Sequence, residues 1–100
     1  MRFGANSFIW ISPFSTAAIP LVNKVKEMGF DVFEIALEDP SGIDVPKLKD
    51  ALREANLSAI TCGAFGPDRD LGSEDAGIRE NCINYIRRCL EIAEELESPV

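Results

Sequence analysis

The sequence contains no histidine, and only three cysteines, Cys62, Cys82 and Cys89. An odd number of cysteines with no pair at metal-binding spacing argues against a disulfide framework and a structural zinc site. Cys82 and Cys89 lie seven apart on one helical pattern and read as small buried hydrophobes. No apolar run reaches the roughly 18 residues of a membrane span. The opening Met-Arg-Phe-Gly-Ala-Asn lacks the long apolar core of a signal peptide. Basic residues are scarce: 10 Lys and Arg against 17 Asp and Glu give a net charge of −7. That balance speaks against a surface for nucleic acid or anionic membrane. No G-x-G-x-x-G follows the first strand candidate, where Ser7-Phe8-Ile9-Trp10-Ile11-Ser12 stands instead, and there is no P-loop. A nucleotide-binding domain is therefore disfavoured. Unpaired cysteines and no secretory signal together lead us to expect a reducing cytoplasm.

What is present is an ordinary globular composition, 46% apolar, organised around Gly29-Phe30-Asp31-Val32-Phe33-Glu34-Ile35-Ala36. Gly29 suits the left-handed position just past a helix, and Val32, Phe33 and Ile35 suit a strand. The strand, Asp31–Ala36, lacks clean alternation, as expected of a parallel strand covered on both faces. Glu34 breaks the apolar run, and a charge there needs a partner or a wet cavity.

The flanking segments repeat this grammar. Arg2 to about Phe8 forms a first strand, with Phe3, Ala5, Phe8 and Ile9 as its apolar members. Pro13 makes the aromatic stretch from Trp10 to Ser15 a loop. A helix follows from Thr16 to Met28, capped by Ser15, with Leu21, Val25 and Met28 as a stripe and Val22 beside it. Pro46 to Ala55 is a second helix, with Pro46 in its first turn and Asn56 as its stop. Leu57 to Gly63 is a third strand. Ser73 caps a third helix running to about Glu97, striped by Ile78, Cys82, Tyr85, Cys89, Ile92 and Leu96. Pro99 ends it, and Val100 reads as the first residue of a fourth strand.

Strand–helix alternation implies a parallel sheet. Three such units leave one sheet face bare, whereas parallel sheets are normally covered on both faces. A complete (β/α)₈ TIM barrel needs about 250 residues. The expected fold is therefore α/β: the N-terminal portion, about three βα units, of a TIM barrel, with residues 1–100 inside one domain. Such a piece would leave large apolar side chains exposed, Val32 or Phe33 depending on register, and would be marginal by itself.

Several stretches resemble the sugar isomerase/epimerase family of xylose isomerase-like barrels, and within it the ketose 3-epimerases. They are Phe3-Gly4 with Trp10; Lys26-Glu27-Met28-Gly29-Phe30-Asp31 leading to Glu34-Ile35; and Leu57 through Cys62-Gly63, then Gly66-Pro67. The segment Leu71 through Asp75 with Ile78-Arg79 completes the set. The resemblance implies epimerisation of free ketohexoses at C3 by proton transfer through an enediolate. It implies a divalent metal, Mn²⁺ or Co²⁺, whose ligands lie beyond residue 100. It also implies a small-molecule sugar partner, neither nucleic acid nor membrane, and a homo-oligomer, dimer or tetramer.

Barrel sites lie at the carboxyl ends of the strands. Those ends are Asn6 to Phe14, Glu34 to Glu38 and Cys62 to Gly66. The candidate substrate-binding residues are accordingly Asn6, Trp10, Phe14, Glu34 and Cys62, with no catalytic or metal-binding residue among the 100. Positions matching Asn6 and Phe14 are commonly aromatic in relatives and touch the sugar; Phe14 keeps that character, while Asn6 offers a hydrogen bond to a hydroxyl. Cys62 matches a substrate-side position in some relatives, with a small buried hydrophobe as the alternative. Glu34 orients cationic or hydroxyl groups, or else joins a structural ion pair. Two further functions compete: a non-catalytic truncated chain or self-assembling partial barrel, and an apurinic-site endonuclease-like barrel. The second would need a basic phosphate groove that this composition does not supply.

Overall fold

Each helix in this chain ends on a residue in the left-handed region, and those turns set where the strands begin. In the computed structural model, which describes all 100 residues, α1 spans Leu21–Glu27, α2 spans Val45–Glu54 and α3 spans Ala76–Glu95. The strands are β1 (Gly4–Asn6), β2 (Val32–Leu37) and β3 (Ser58–Gly63). Gly29 follows α1 at φ 93°, Asn56 follows α2 at 52°, and Glu97 follows α3 at 59°. A left-handed residue there lets the next amides bond back to the orphan carbonyls of the last turn. After α3 the Ser98 amide donates to Ala93 O at 2.8 Å and the Glu97 amide to Glu94 O at 3.1 Å. Gly29 and Asn56 are the expected stops. Glu97 replaces Pro99 as the third, because the return hydrogen bonds end the helix before the proline is reached.

The helix starts show the same contest between local donors and acceptors. The Asp44 carboxylate accepts from Lys47 N at 3.1 Å ahead of α2, which begins one residue before Pro46. Asp75, not Ser73, caps α3, accepting from Gly77 N at 2.8 Å and Ile78 N at 3.4 Å. The Ser73 hydroxyl accepts from Asp75 N at 3.1 Å instead. A carboxylate also gains from the helix dipole, which a neutral hydroxyl does not. The expected Thr16–Met28 helix divides in two: a 3₁₀ turn over Thr16–Ala18, then α1 from Leu21, with Pro20 at the break. Ser15 makes no side-chain cap there. The Thr16 hydroxyl donates to Gly42 O at 3.1 Å and accepts from Asp44 N at 2.8 Å, pinning this segment to the loop before α2.

The strands form one parallel sheet in the order β1-β2-β3. Ala5 lies beside Phe33 and Phe33 beside Ala59, while Asn6 lies beside Glu34 and Glu34 beside Ile60. These rows face opposite ways. Ala5, Phe33, Ile35, Leu37 and Ala59 are buried with Val22 and Val25 of α1, Leu48 and Leu52 of α2, and Ile92 of α3. The helices therefore cover this face. The other face carries Gly4, Asn6, Val32, Glu34, Ser58, Ile60 and Cys62, all exposed or half-buried, and Ala36, which is buried. Phe33 is fully buried on the helix side, so the register puts Val32, not Phe33, on the bare face. The uncovered face is largely polar or small.

β1 is shorter than expected. After Asn6 the chain enters a 3₁₀ turn over Ser7–Ile9, and Phe8 and Ile9 are exposed rather than strand core. Met28 is likewise exposed, which removes it from the α1 stripe. Along α3 the expected stripe holds at Cys82, Tyr85, Ile92 and Leu96. Val100 comes alongside β3, its carbonyl accepting from both the amide and the hydroxyl of Thr61 at 3.3 Å. No helix is long and apolar enough to cross a membrane.

The one tyrosine ties α3 to the sheet. The Tyr85 hydroxyl donates to Leu37 O at the end of β2 and accepts from Ala64 N just after β3, at 2.8 Å. Phe65 packs edge-on to its ring at 5.6 Å and the Arg69 guanidinium lies over it at 3.9 Å. Burial pushes the phenol up to about 12 from its ordinary 10.0, although the Ala64 amide pulls the other way. The folded state thus keeps a proton that an unfolded chain releases near pH 10. The stabilisation this gives is whole below pH 10 and is lost as pH rises towards 12. Tyr85→Phe should cost about 1–3 kcal/mol at neutral pH, the penalty for leaving a buried carbonyl and a half-buried amide without their partner. In urea unfolding, the gap between wild type and variant should narrow between pH 10 and 12.

Candidate functional site

The site is built at the carboxyl end of β1. Asn6 closes the strand and caps the 3₁₀ turn that follows, its Oδ1 accepting from Phe8 N at 2.8 Å. That bond fixes which end of the carboxamide carries the N–H groups. Asn6 Nδ2 then donates across the sheet to Glu34 Oε2 at 2.9 Å and, more weakly, to Cys62 Sγ at 3.6 Å. Three strands thereby contribute one polar triangle, Asn6–Glu34–Cys62, to the face the helices leave uncovered. Ser7 is buried, and its hydroxyl accepts from Ala36 N at 3.0 Å, taking over the ladder where β1 stops.

The triangle is electrostatically one-sided. Burial is the largest influence raising the Cys62 thiol above its ordinary value. The Asn6 N–H favours the thiolate and acts against burial, while the neighbouring Glu34 charge raises the thiol further. Cys62 is thus held as a neutral thiol rather than an activated nucleophile. Glu34 has no cationic partner: the two ion pairs of the chain are Arg53–Glu97 and Arg88–Glu91.

Trp10 and Phe14 are not brought to this triangle. Both pack edge-on against Phe33, at centroid distances of 6.2 and 6.0 Å, on the helix-covered side. Trp10 is half-buried, but Phe14 is 1% exposed. A side chain so enclosed offers nothing to a ligand, so the pocket role expected of Phe14 is corrected to a packing role. The physical reason is the shortened β1: the chain turns at Ser7 and carries the aromatic loop over the end of the core.

Sequence reasoning missed other groups at this end. Ser12 Oγ donates to Glu38 Oε1 at 2.7 Å, linking the first and second loops. A cleft of about 280 Å³ beside Glu38, Phe65 and Arg69 adjoins one of about 420 Å³ that Asp68, Arg69 and Tyr85 help to line. The signal for Tyr85 was legible, since a hydroxyl inside an apolar helical stripe needs a partner; Ser12 and Glu38 fall within the strand-end segments but nothing singled them out there. A separate cleft of about 250 Å³ opens at the amino ends of the strands, around Arg53 and Ser58, away from the triangle. No group of three or more His, Cys, Asp or Glu side chains that could hold a metal ion is gathered anywhere. The residues present do not fit a metal centre.

Residues 22–100 match the model of the xylose isomerase-like TIM barrel family. The chain belongs to that family. It is 31% identical over 97 residues to a ketose 3-epimerase of Arthrobacter globiformis, a match covering 96% of this chain and 34% of that protein. The crystal structure of a D-allulose 3-epimerase from Methylomonas sp. superposes with a TM-score of 0.89 at 30% identity, covering 98% of this chain and 35% of that one. The same enzyme in complex with D-allulose gives a TM-score of 0.88 at 29% identity, covering 98% of this chain and 34% of that one. The chain thus spans about a third of the length of the relatives it matches. The three-stranded sheet corresponds to the N-terminal portion of a barrel, with its uncovered face on the side that a closed barrel turns inward.

Two outcomes follow from the placement of these side chains. Phe14→Ala should lower unfolding stability by about 3–5 kcal/mol, as expected for truncating a fully buried phenylalanine, and chemical denaturation measures it. Cys62 should react with iodoacetamide more slowly than a free thiol at pH 8. The midpoint of its pH–rate curve should lie above the ordinary thiol value and move down in Glu34→Gln.

Proposed function

We propose that these residues form one wall of the sugar site of a ketose 3-epimerase. The observation that carries this reading is the Asn6–Glu34–Cys62 triangle on the inward face of a family barrel, at the carboxyl end of the strands. A face built of an amide, a carboxylate, a thiol and small residues suits a polyhydroxylated ligand better than an apolar one. The similarity to a ketose 3-epimerase over nearly the whole chain supports the same reading.

The reaction is the interconversion of free ketohexoses epimeric at C3, such as D-allulose (D-psicose) and D-fructose, or D-tagatose and D-sorbose. A base removes the C3 proton, the electron pair moves into C2=O to give an enediolate, and a proton returns to C3 from the opposite face. Inversion therefore calls for one acid–base group on each face of the sugar. Residues 1–100 are assigned neither group; their part is to bind and orient. Mn²⁺ or Co²⁺ belongs to the proposal only with ligands from outside residues 1–100, and no step is assigned to it. We place the protein in the cytoplasm, where its free cysteines stay reduced, as a homo-oligomer acting on a small sugar, with no nucleic-acid or membrane partner.

The test is exchange at C3. In D₂O the complete protein, supplied with Mn²⁺, should convert D-allulose to D-fructose and place deuterium at C3 of both sugars, read by NMR. Absence of C3 exchange with every ketohexose tried would overturn the assignment.

A further inference from the structure

Asn6 invites the reading that its amide binds a sugar hydroxyl, and its hydrogen bonds argue otherwise. Oδ1 accepts from Phe8 N at 2.8 Å. Nδ2 donates to Glu34 Oε2 at 2.9 Å and to Cys62 Sγ at 3.6 Å. Both amide hydrogens are therefore committed within the chain, and the cap on the Phe8 turn forbids rotating the amide to free them. Glu34 is in the opposite condition. Asn6 holds Oε2 in its one strong hydrogen bond, the Cys62 thiol beside it is at most a weak donor, and no cation pairs with the carboxylate. It is half-buried on the inward face, and no buried side-chain oxygen of the chain lacks a partner, so Oε1 is open to whatever fills the space in front of that face.

We propose that Asn6 is a positioning residue and that Glu34 is the group on this wall that binds the sugar, its Oε1 accepting from one hydroxyl of the ketose. The inference rests on the epimerase reading and deepens it. A carboxylate accepts from hydroxyls and cannot donate to a carbonyl, so Glu34 selects a hydroxyl-bearing carbon away from the C2 ketone. The Asn6 bond fixes the carboxylate before the sugar arrives, and a charged acceptor so fixed discriminates strongly against a substrate lacking the matching hydroxyl. The Cys62 thiol occupies the other amide hydrogen and keeps Asn6 from swinging towards the ligand.

The experiment uses the complete enzyme, loaded with Mn²⁺, on D-allulose and its 1-, 4-, 5- and 6-deoxy analogues. Glu34→Gln should lower kcat/KM for the parent sugar by roughly 10- to 100-fold, chiefly through KM, the loss expected for a hydrogen bond to a charged group. That loss should disappear for one deoxy analogue and persist for the others. Asn6→Asp keeps the acceptor for Phe8 N but removes the donor to Glu34. It should weaken selection at the same carbon and cost little more when combined with Glu34→Gln. If Glu34→Gln does not fold, Glu34→Ala is read in the same way. A loss equal for all analogues, or Asn6 and Glu34 effects that multiply independently at different carbons, would overturn the inference and leave the epimerase reading standing. Wild-type enzyme without C3 exchange would overturn both.

Discussion

The hydrogen bond from the Asn6 amide to the Glu34 carboxylate, 2.9 Å across two strands, is the contact on which the carboxyl end of this sheet depends. The same side chain accepts from Phe8 N and so forces β1 to end. Once β1 ends, Ser7 supplies the next ladder acceptor through its hydroxyl, and the following loop is free to fold over the sheet. That loop sets both Trp10 and Phe14 edge-on against Phe33. One residue thus divides labour between the faces: a polar group aimed inward at Glu34, and an aromatic closure of the core on the other side. Alanine at position 6 would remove both the cap and the donor, leaving a half-buried carboxylate without its partner.

Why a glutamate can sit in the middle of an apolar strand follows from the pleat. Val32, Glu34 and Ala36 point one way, and Phe33, Ile35 and Leu37 the other. All the large aliphatic and aromatic bulk of β2 is on the helix side, where those three residues are fully buried. The inward side carries a small residue, a charge and a β-branched residue. Shifting the register by one would bury Glu34 under the helices and expose Phe33, and this opposition holds the pairing in place. The strand therefore alternates by size and charge, although by hydropathy alone it reads as a continuous run.

That distinction explains how much was legible beforehand. Gly29, Asn56 and Pro46 announced their turns through residue chemistry, and the three βα units and the parallel sheet followed from the alternation they mark; the family came from the resemblance of whole stretches. The choice between Val32 and Phe33 for the bare face stayed open because Val32 and Ala36 are apolar but small, which hid the alternation. The ends of the third helix were misread because two rival caps lay side by side, and the carboxylate of Asp75 outcompeted the hydroxyl of Ser73. Glu97 terminates that helix in a conformation its residue type does not advertise. Of the candidate site, Asn6, Glu34 and Cys62 came together because strand spacing fixes which positions share a face. Phe14 did not, since its fate was decided by where β1 stopped, a hydrogen-bond choice at Asn6 that composition does not reveal.

The chemistry of this wall also bears on which part of a C3 epimerisation it can serve. Moving a proton at carbon takes a group that is free to approach the reacting carbon and to exchange its proton during turnover. Glu34 has one oxygen tied to an amide that is itself tied to the backbone, and Cys62 is kept protonated by burial and by the charge beside it. A carboxylate held this way loses mobility but gains direction, which is what binding a particular hydroxyl demands and proton shuttling does not. The same rigidity extends outward through Tyr85, which bonds to the ends of β2 and β3 together and keeps those two strands level. In the proposed epimerase, residues 1–100 therefore fix the sugar against a stiff wall. The groups that invert C3 belong on the strands facing it, where they can reach the sugar from either side.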